Sequence, residues 1–251
     1  MQNVQPLKAE SIHLSYGTLQ VLKGVSLTVR ASEGVVLLGA NGCGKSSLMR
    51  VLNGLERPQQ GSVEVFGKPV TNARGSALRA IRRKMGYVFQ QFNLVPQLSA
   101  FQNVLLGALG QRPFGLIGCM APLASAADRE LAMACLERVG MSDRAMHRPA
   151  ELSGGQQQRV AIARMLMQSP TIVIADEPVA SLDPRAGRQV LELLWEIVRE
   201  RKLSMLCTLH QVELAREFAD RIVGIKAGAT AIDAPAGNIE LSTINALYET
   251  A

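Results

Sequence analysis

Short apolar runs alternate along the chain with longer stretches whose apolar positions recur at helical spacing. Val35–Leu38, Gly86–Phe89, Ile172–Ala175 and Met205–Leu209 are uncharged, largely apolar runs of strand length, the pattern of strands covered on both faces. Helices are predicted to begin after Gly44, after Pro184 and after His210. Pro184 suits a first helical turn, and Val190, Leu193, Leu194, Ile197 and Val198 follow at helical spacing towards Arg201. Strands alternating with helices predict an α/β fold with a mainly parallel core sheet. The first thirty residues alternate differently: Ser11–Leu14 and Val25–Val29 read as an N-terminal antiparallel β part. From Gln91 to Leu152 the pattern changes again. Pro96, Pro113, Pro122 and Pro149 punctuate short helical patterns such as Asp128–Val139, with no clear buried strand. This predicts a helical insert, at approximately 91–155, within one domain spanning 1–251.

Composition narrows the picture a little. Hydrophobic residues make up 47% and charged residues 19% of the 251 positions, enough apolar matter for a packed core. Aromatics are only 4%, so aliphatic side chains must fill that core. Cys43, Cys119, Cys135 and Cys207 lie far apart without C-x-x-C spacing, which points to reduced thiols and away from a disulfide framework or zinc site. Met1–Glu10 lacks a charged-then-apolar leader pattern, so export is not expected. The uncharged run Pro113–Ala127 falls short of the roughly 20 apolar residues of a spanning helix and is broken by Pro and Gly. Net charge is +6. The cations are dispersed, and the Arg79, Arg82, Arg83, Lys84 cluster has no interleaved aromatics, so no nucleic-acid partner is expected.

The chemistry begins at Gly39-Ala40-Asn41-Gly42-Cys43-Gly44-Lys45-Ser46, which follows a buried-strand pattern and opens a helical one. That is the G-x-x-x-x-G-K-[ST] phosphate loop in its required context. Its backbone N–H groups and the helix start would cradle phosphates, with Ser47 in the first turn. Lys45 would neutralise phosphate charge and Ser46 would ligate Mg²⁺. Cys43 reads as a small filler. Downstream, Ile172–Ala175 ends in Asp176-Glu177. Adjacent residues on a strand point to opposite sides, so Asp176 suits a metal role and Glu177 the orientation or deprotonation of water.

Leu152-Ser153-Gly154-Gly155-Gln156-Gln157-Gln158-Arg159 resembles the signature sequence of ABC-transporter ATPases and stands upstream of the acidic strand, as in that family. It also reads as a capped helix start opening Gln156–Met167. The resemblance covers Leu7 to about Ala234 and implies the fold of an ABC ATPase, a P-loop NTPase. It implies that Ser153, Gly154, Gly155 and Gln156 contact the nucleotide held by a second copy, hence a homodimer with ATP and Mg²⁺ as ligands. Tyr16 resembles the aromatic that stacks on adenine. Gln90, after Tyr87-Val88-Phe89, resembles the glutamine that senses metal and water. Ser181-Leu182-Asp183 resembles the loop that communicates across the dimer, and His210 the switch histidine.

The resemblance narrows towards the ATP-binding subunits of phosphonate importers through Phe92-Asn93-Leu94-Val95, Asn103–Gly107, Pro113–Leu116, Val179, Leu209–Val212 and Ala219–Ile222. Ala40, Asn41 and Cys43 depart from that subfamily's usual loop. The implied partners are transmembrane permease subunits and, indirectly, a periplasmic or lipoprotein solute-binding protein. The implied location is peripheral, on the cytoplasmic face of a bacterial inner membrane. Alternatives are the ATPase of another ABC system, for amino acid or methionine import, lipoprotein release or efflux, or a soluble ABC ATPase acting on DNA or ribosomes. The solute touches none of these residues, so its identity rests on the resemblance. The run Phe114–Leu123 reads equally as insert core or as part of a docking groove for a permease helix.

Overall fold

The computed structural model describes residues 5–111 and 124–248. Residues 112–123 lie outside that description, and with them Cys119, Pro113–Leu116 and the two readings of Phe114–Leu123. The chain folds as two compact units. The first takes in Met1–Met85, Thr171–Glu177 and Val198–Ala251; the second takes in Gly86–Pro170 and Pro178–Ile197.

The first unit opens with β1 (Leu7–Tyr16) and β2 (Leu19–Val29), antiparallel as the N-terminal alternation predicts. After β3 (Gly34–Leu38) and helix α1 (Lys45–Leu52), β4 (Gln60–Val65) and β5 (Lys68–Pro69) complete a four-stranded antiparallel sheet in the order β2-β1-β4-β5. Helix α2 (Gly75–Arg82) follows, and β6 (Met85–Val88) spans the division between the units.

Apart from Gly86–Val88 of β6, the regular structure of the second unit is helical among its described residues. It holds α3 (Ala100–Leu105), α4 (Ala126–Arg138) and α5 (Gly154–Met167). The predicted Asp128–Val139 and Gln156–Met167 segments are α4 and α5, each beginning two residues early because Ser125 and Ser153 cap the preceding turns. All but the last three residues of α6 (Pro184–Glu200) belong to this unit. Its buried stripe holds the expected Val190, Leu194 and Ile197, and adds Leu191 and Trp195; Leu193 is only half-buried.

Back in the first unit, β7 (Ile172–Ala175), β8 (Ser204–Thr208), helix α7 (Val212–Phe218), β9 (Arg221–Lys226), β10 (Ala229–Pro235) and the short α8 (Leu241–Asn245) follow. β3 pairs in parallel with both β8 and β9, and β7 pairs in parallel with β8; β10 adds an antiparallel edge. Every residue of β3, β7 and β8 is buried. Each buried Val or Leu stabilises the sheet by about 1.5–3 kcal/mol.

Polar contacts fix where these strands begin. The Asp220 carboxylate accepts from the Gly34 N–H at 2.7 Å. Arg221, buried, binds Glu33 at 2.8 Å and Asp233 at 2.5 Å and also donates to the Thr28 carbonyl. A buried cation held by two carboxylates and a carbonyl ties β2, β9 and β10 to the entry of β3.

Candidate nucleotide site

The phosphate loop takes its shape from the end of β3. A Cβ on Gly39 would sit 2.4 Å from the Ile225 carbonyl oxygen and 2.6 Å from the Cys43 sulfur, so the chain passes there only without a side chain. Gly44, at φ 110°, is the N-cap of α1 and supplies no capping side chain. A Cβ there would meet Leu22 at 2.7 Å. The first-turn amides of α1 thus have no side-chain cap and stay open to an anion.

Lys45 is 5% exposed, and its ammonium donates to the Gly39 carbonyl at 2.8 Å and the Ala40 carbonyl at 3.1 Å. The lysine thus folds back over its own loop, held by two neutral acceptors that phosphate oxygens can replace. A cavity of about 210 Å³ opens beside it, lined by Asn41, Gly42, Gly44, Lys45, Ser46, Ser47 and, from the far end of β7, Glu177. Cys43 is buried; burial pushes its thiol up and the Lys45 charge opposes that shift. Tyr16 ends β1 opposite Leu19, and both side chains are exposed.

The acidic end is already wired. Glu177 adopts φ 48°, a left-handed conformation uncommon outside glycine. Its N–H donates to the Thr208 hydroxyl at 2.7 Å, and that hydroxyl donates to Asp176 Oδ1 at 2.9 Å. His210 Nε2 lies 2.7 Å from Glu177 Oε1. The neighbouring Asp176 and Glu177 and the distant Thr208 and His210 therefore form one connected group within the first unit.

The second unit carries the remaining expected residues. Ser153 caps α5: its oxygen accepts from the Gln156 N–H at 3.3 Å, while Gln156 Oε1 accepts from the Ser153 N–H at 2.9 Å. This reciprocal cap holds the helix start in shape. The adjoining cavity, about 260 Å³, is lined by Ser153, Gly155, Gln156, Arg159 and Gln189 among others. The two glycines stand where side chains crowd in: a Cβ on Gly154 would lie 3.0 Å from Leu182, and one on Gly155 would lie 3.3 Å from Ala186. Asp183 Oδ1 accepts from the Ala186 N–H at the start of α6. Gln90 is exposed just beyond β6.

Three polar residues hold the site's surroundings in ways their sequence context does not announce. Thr208 is one. Arg164 binds the carbonyls of Phe92 and Asn93 at 2.9 and 2.6 Å, pinning the segment after Gln90; burial lowers the pKa of its guanidinium. Gln158, fully buried, donates to the Phe89 and Pro178 carbonyls at 3.3 and 2.6 Å. The only signal for Arg164 was a lone cation in the apolar run Val160–Met167.

The sequence profile of the ABC transporter family matches residues 22–180. The phosphate-import ATP-binding protein PhnC of Mycolicibacterium smegmatis is 47% identical over 96% of this chain and 91% of its own length. The chain belongs to the ABC transporter family. The phosphonates import ATP-binding protein PhnC of Nocardia farcinica is also 47% identical, over 98% of this chain and 91% of its own. Among solved structures, a dimeric ATP-binding cassette in a post-hydrolysis state with ADP and Pi superposes at a TM-score of 0.77. It is 33% identical, and the match covers 92% of this chain and 98% of that one. This ABC transporter chain thus has the fold of a nucleotide-binding ATPase cassette. The family match takes in the phosphate loop, Ser153–Gln156 and Asp176-Glu177, and ends before Asp183 and His210.

Proposed function

We propose that this chain is the ATP-hydrolysing subunit of an ABC importer for phosphonates or a related phosphorus oxyanion, working as a homodimer at the cytoplasmic face of a bacterial inner membrane. The observation that carries the reading is the cavity that places Lys45, Ser46 and Glu177 on one space. The oxyanion class comes from the relatives named for phosphate and phosphonate import. The permease and a solute-binding protein complete the system, and the helical insert at approximately 91–155 is the part of this single ABC ATPase domain that answers to the permease.

ATP phosphates lie on the α1 amides, and Lys45 exchanges its two loop carbonyls for phosphate oxygens. Tyr16 offers an exposed ring to the base. Asn41, Gly42, Cys43 and Ser47 shape the cradle. The Ser46 hydroxyl and the Asp176 carboxylate are hard oxygen donors suited to Mg²⁺, which supplies charge neutralisation at the phosphates when bound; Gln90 keeps the metal- and water-sensing role that the resemblance implies for it. Glu177 orients the attacking water and takes up its proton. His210, now on the Glu177 carboxylate, turns to the terminal phosphate. Ser153, Gly154, Gly155 and Gln156 of a second copy close over that phosphate, and Asp183 stands at the junction.

The test is transport in proteoliposomes holding this chain, its permease and its binding protein. ATP hydrolysis stimulated by a phosphonate or another phosphorus oxyanion, and by neither amino acids nor lipoprotein, supports the assignment. Stimulation by an unrelated solute overturns it.

A further inference from the structure

Thr208 ends a strand buried along its whole length and is itself fully buried. A hydroxyl placed there needs partners, because burying one without hydrogen bonds is unfavourable. Its two partners are both in the acidic group: it accepts from the Glu177 N–H at 2.7 Å and donates to Asp176 Oδ1 at 2.9 Å. One oxygen atom therefore spans the two adjacent acids that the reaction uses for different tasks.

Each bond has a separate consequence. The accepted bond falls on the peptide N–H of Glu177, the residue at φ 48°. A backbone in that sparsely populated region persists only where its surroundings hold it, and this bond is such a restraint. It fixes the direction in which the Glu177 side chain leaves the strand, and with it the 2.7 Å contact to His210. The donated bond orients the Asp176 carboxylate, since a proton on one oxygen turns the plane of the group and biases which lone pairs face the cavity. The methyl group of Thr208 does neither.

We propose that Thr208 is a positioning residue for hydrolysis, its hydroxyl aligning the metal-facing carboxylate of Asp176 and the water-facing carboxylate of Glu177 together. The proposal rests on the functional reading above, which assigns those two carboxylates their tasks. The bonds of the Thr208 hydroxyl go to the Glu177 N–H and to Asp176 Oδ1. Its effect passes through the acids.

Thr208→Val removes the hydroxyl at nearly constant volume, and Thr208→Ser keeps the hydroxyl and removes the methyl. The first readout is Mn²⁺ binding by electron paramagnetic resonance, on the full chain with a non-hydrolysable ATP analogue. Thr208→Val is expected to weaken Mn²⁺ binding by about tenfold, the scale of lost support to a metal-binding group. Metal-free nucleotide affinity should stay within about twofold of the parent protein's, because the hydroxyl reaches no part of the phosphate loop. With the permease present, Thr208→Val should lower kcat by about tenfold or more with KM for ATP little changed. Thr208→Ser should restore both properties to within about twofold to threefold.

Parent-like Mn²⁺ binding and kcat in Thr208→Val would overturn the proposal. So would equal damage in the Ser and Val variants, which would trace the effect to methyl packing. Should Thr208→Val fail to fold, Thr208→Ser alone decides, since loss of metal binding there contradicts the hydroxyl's role. Glu177→Gln measured in parallel keeps the two readings apart. Undiminished turnover in that variant sinks the assignment of Glu177, whatever Thr208 does.

Discussion

The proposed function sets two helix starts against phosphate, and they are built in opposite ways. α1 begins at a glycine that offers no side chain, and the lysine beside it bends back onto its own loop carbonyls. α5 begins at a serine locked in a reciprocal cap with Gln156. The first start is left uncapped; the second is closed by its own side chains. An uncapped helix start beside a buried ammonium gains most from phosphate, so nucleotide binding and the stability of this region are linked. The capped start holds its shape unaided, and the cap uses a lone pair of the Ser153 oxygen while leaving its proton to be donated. That division suits the proposed mechanism, in which a loop grips the nucleotide first and a helix start of another copy meets it afterwards.

Four substitutions or conditions sharpen or break this contrast. Glu177→Gln should lower turnover by about a thousandfold, as loss of a general base does, with ATP affinity nearly unchanged; phosphate release and equilibrium binding measure the two. Lys45→Ala should weaken ATP binding by about a hundredfold, since a buried charge-assisted contact is removed. Its thermal denaturation midpoint should therefore stop responding to ATP. Ser153→Ala should behave conversely. It loses a helix cap worth about 1 kcal/mol, so the midpoint falls by about 2–4 °C, and the added stability conferred by ATP on an isolated copy remains. Loss of that ATP response in Ser153→Ala would erase the distinction between the two starts.

The smallest effect concerns pH. Burial, with a further contribution from Asp176, holds the Cys207 thiol far above an ordinary thiol's 9.0, and burial also raises Cys43 and Tyr248. The unfolded chain releases these protons first, so the fold binds more protons than the unfolded state once pH passes about 9. Their contribution to stability is present below that pH and lost progressively above it. Denaturation midpoints between pH 8 and 10 should decline, and Cys207→Val should flatten the decline. An unchanged slope in that variant would assign the loss to other groups.

The core was legible because its strands are covered on both faces. Ile172–Ala175 is β7 as expected; β3 begins one residue before Val35–Leu38, and β6 and β8 lie one residue earlier at both ends than Gly86–Phe89 and Met205–Leu209. Periodicity served less well at the margins. β4 and β10 mix exposed and buried positions, both residues of β5 are exposed and α2 buries only Ile81, and β9 begins with a buried arginine that reads as surface until Glu33 and Asp233 are placed beside it. In the site, contiguous motifs announce themselves because the chemistry needs neighbouring residues, as in Gly39–Ser46 and Asp176-Glu177. Thr208 and Gln158 act across 31 and 20 positions or more, and a lone hydroxyl or amide in sequence carries no mark of what folding sets against it.

Sedimentation of Glu177→Gln with Mg·ATP addresses the central claim most directly, that a terminal phosphate is shared between Lys45 of one copy and Ser153 of another. The account predicts a dimer that forms only with nucleotide and is lost when Ser153→Arg is added, while each single copy still binds ATP. A Glu177→Gln protein that stays monomeric at saturating Mg·ATP with its permease present, or a dimer indifferent to Ser153→Arg, would contradict it.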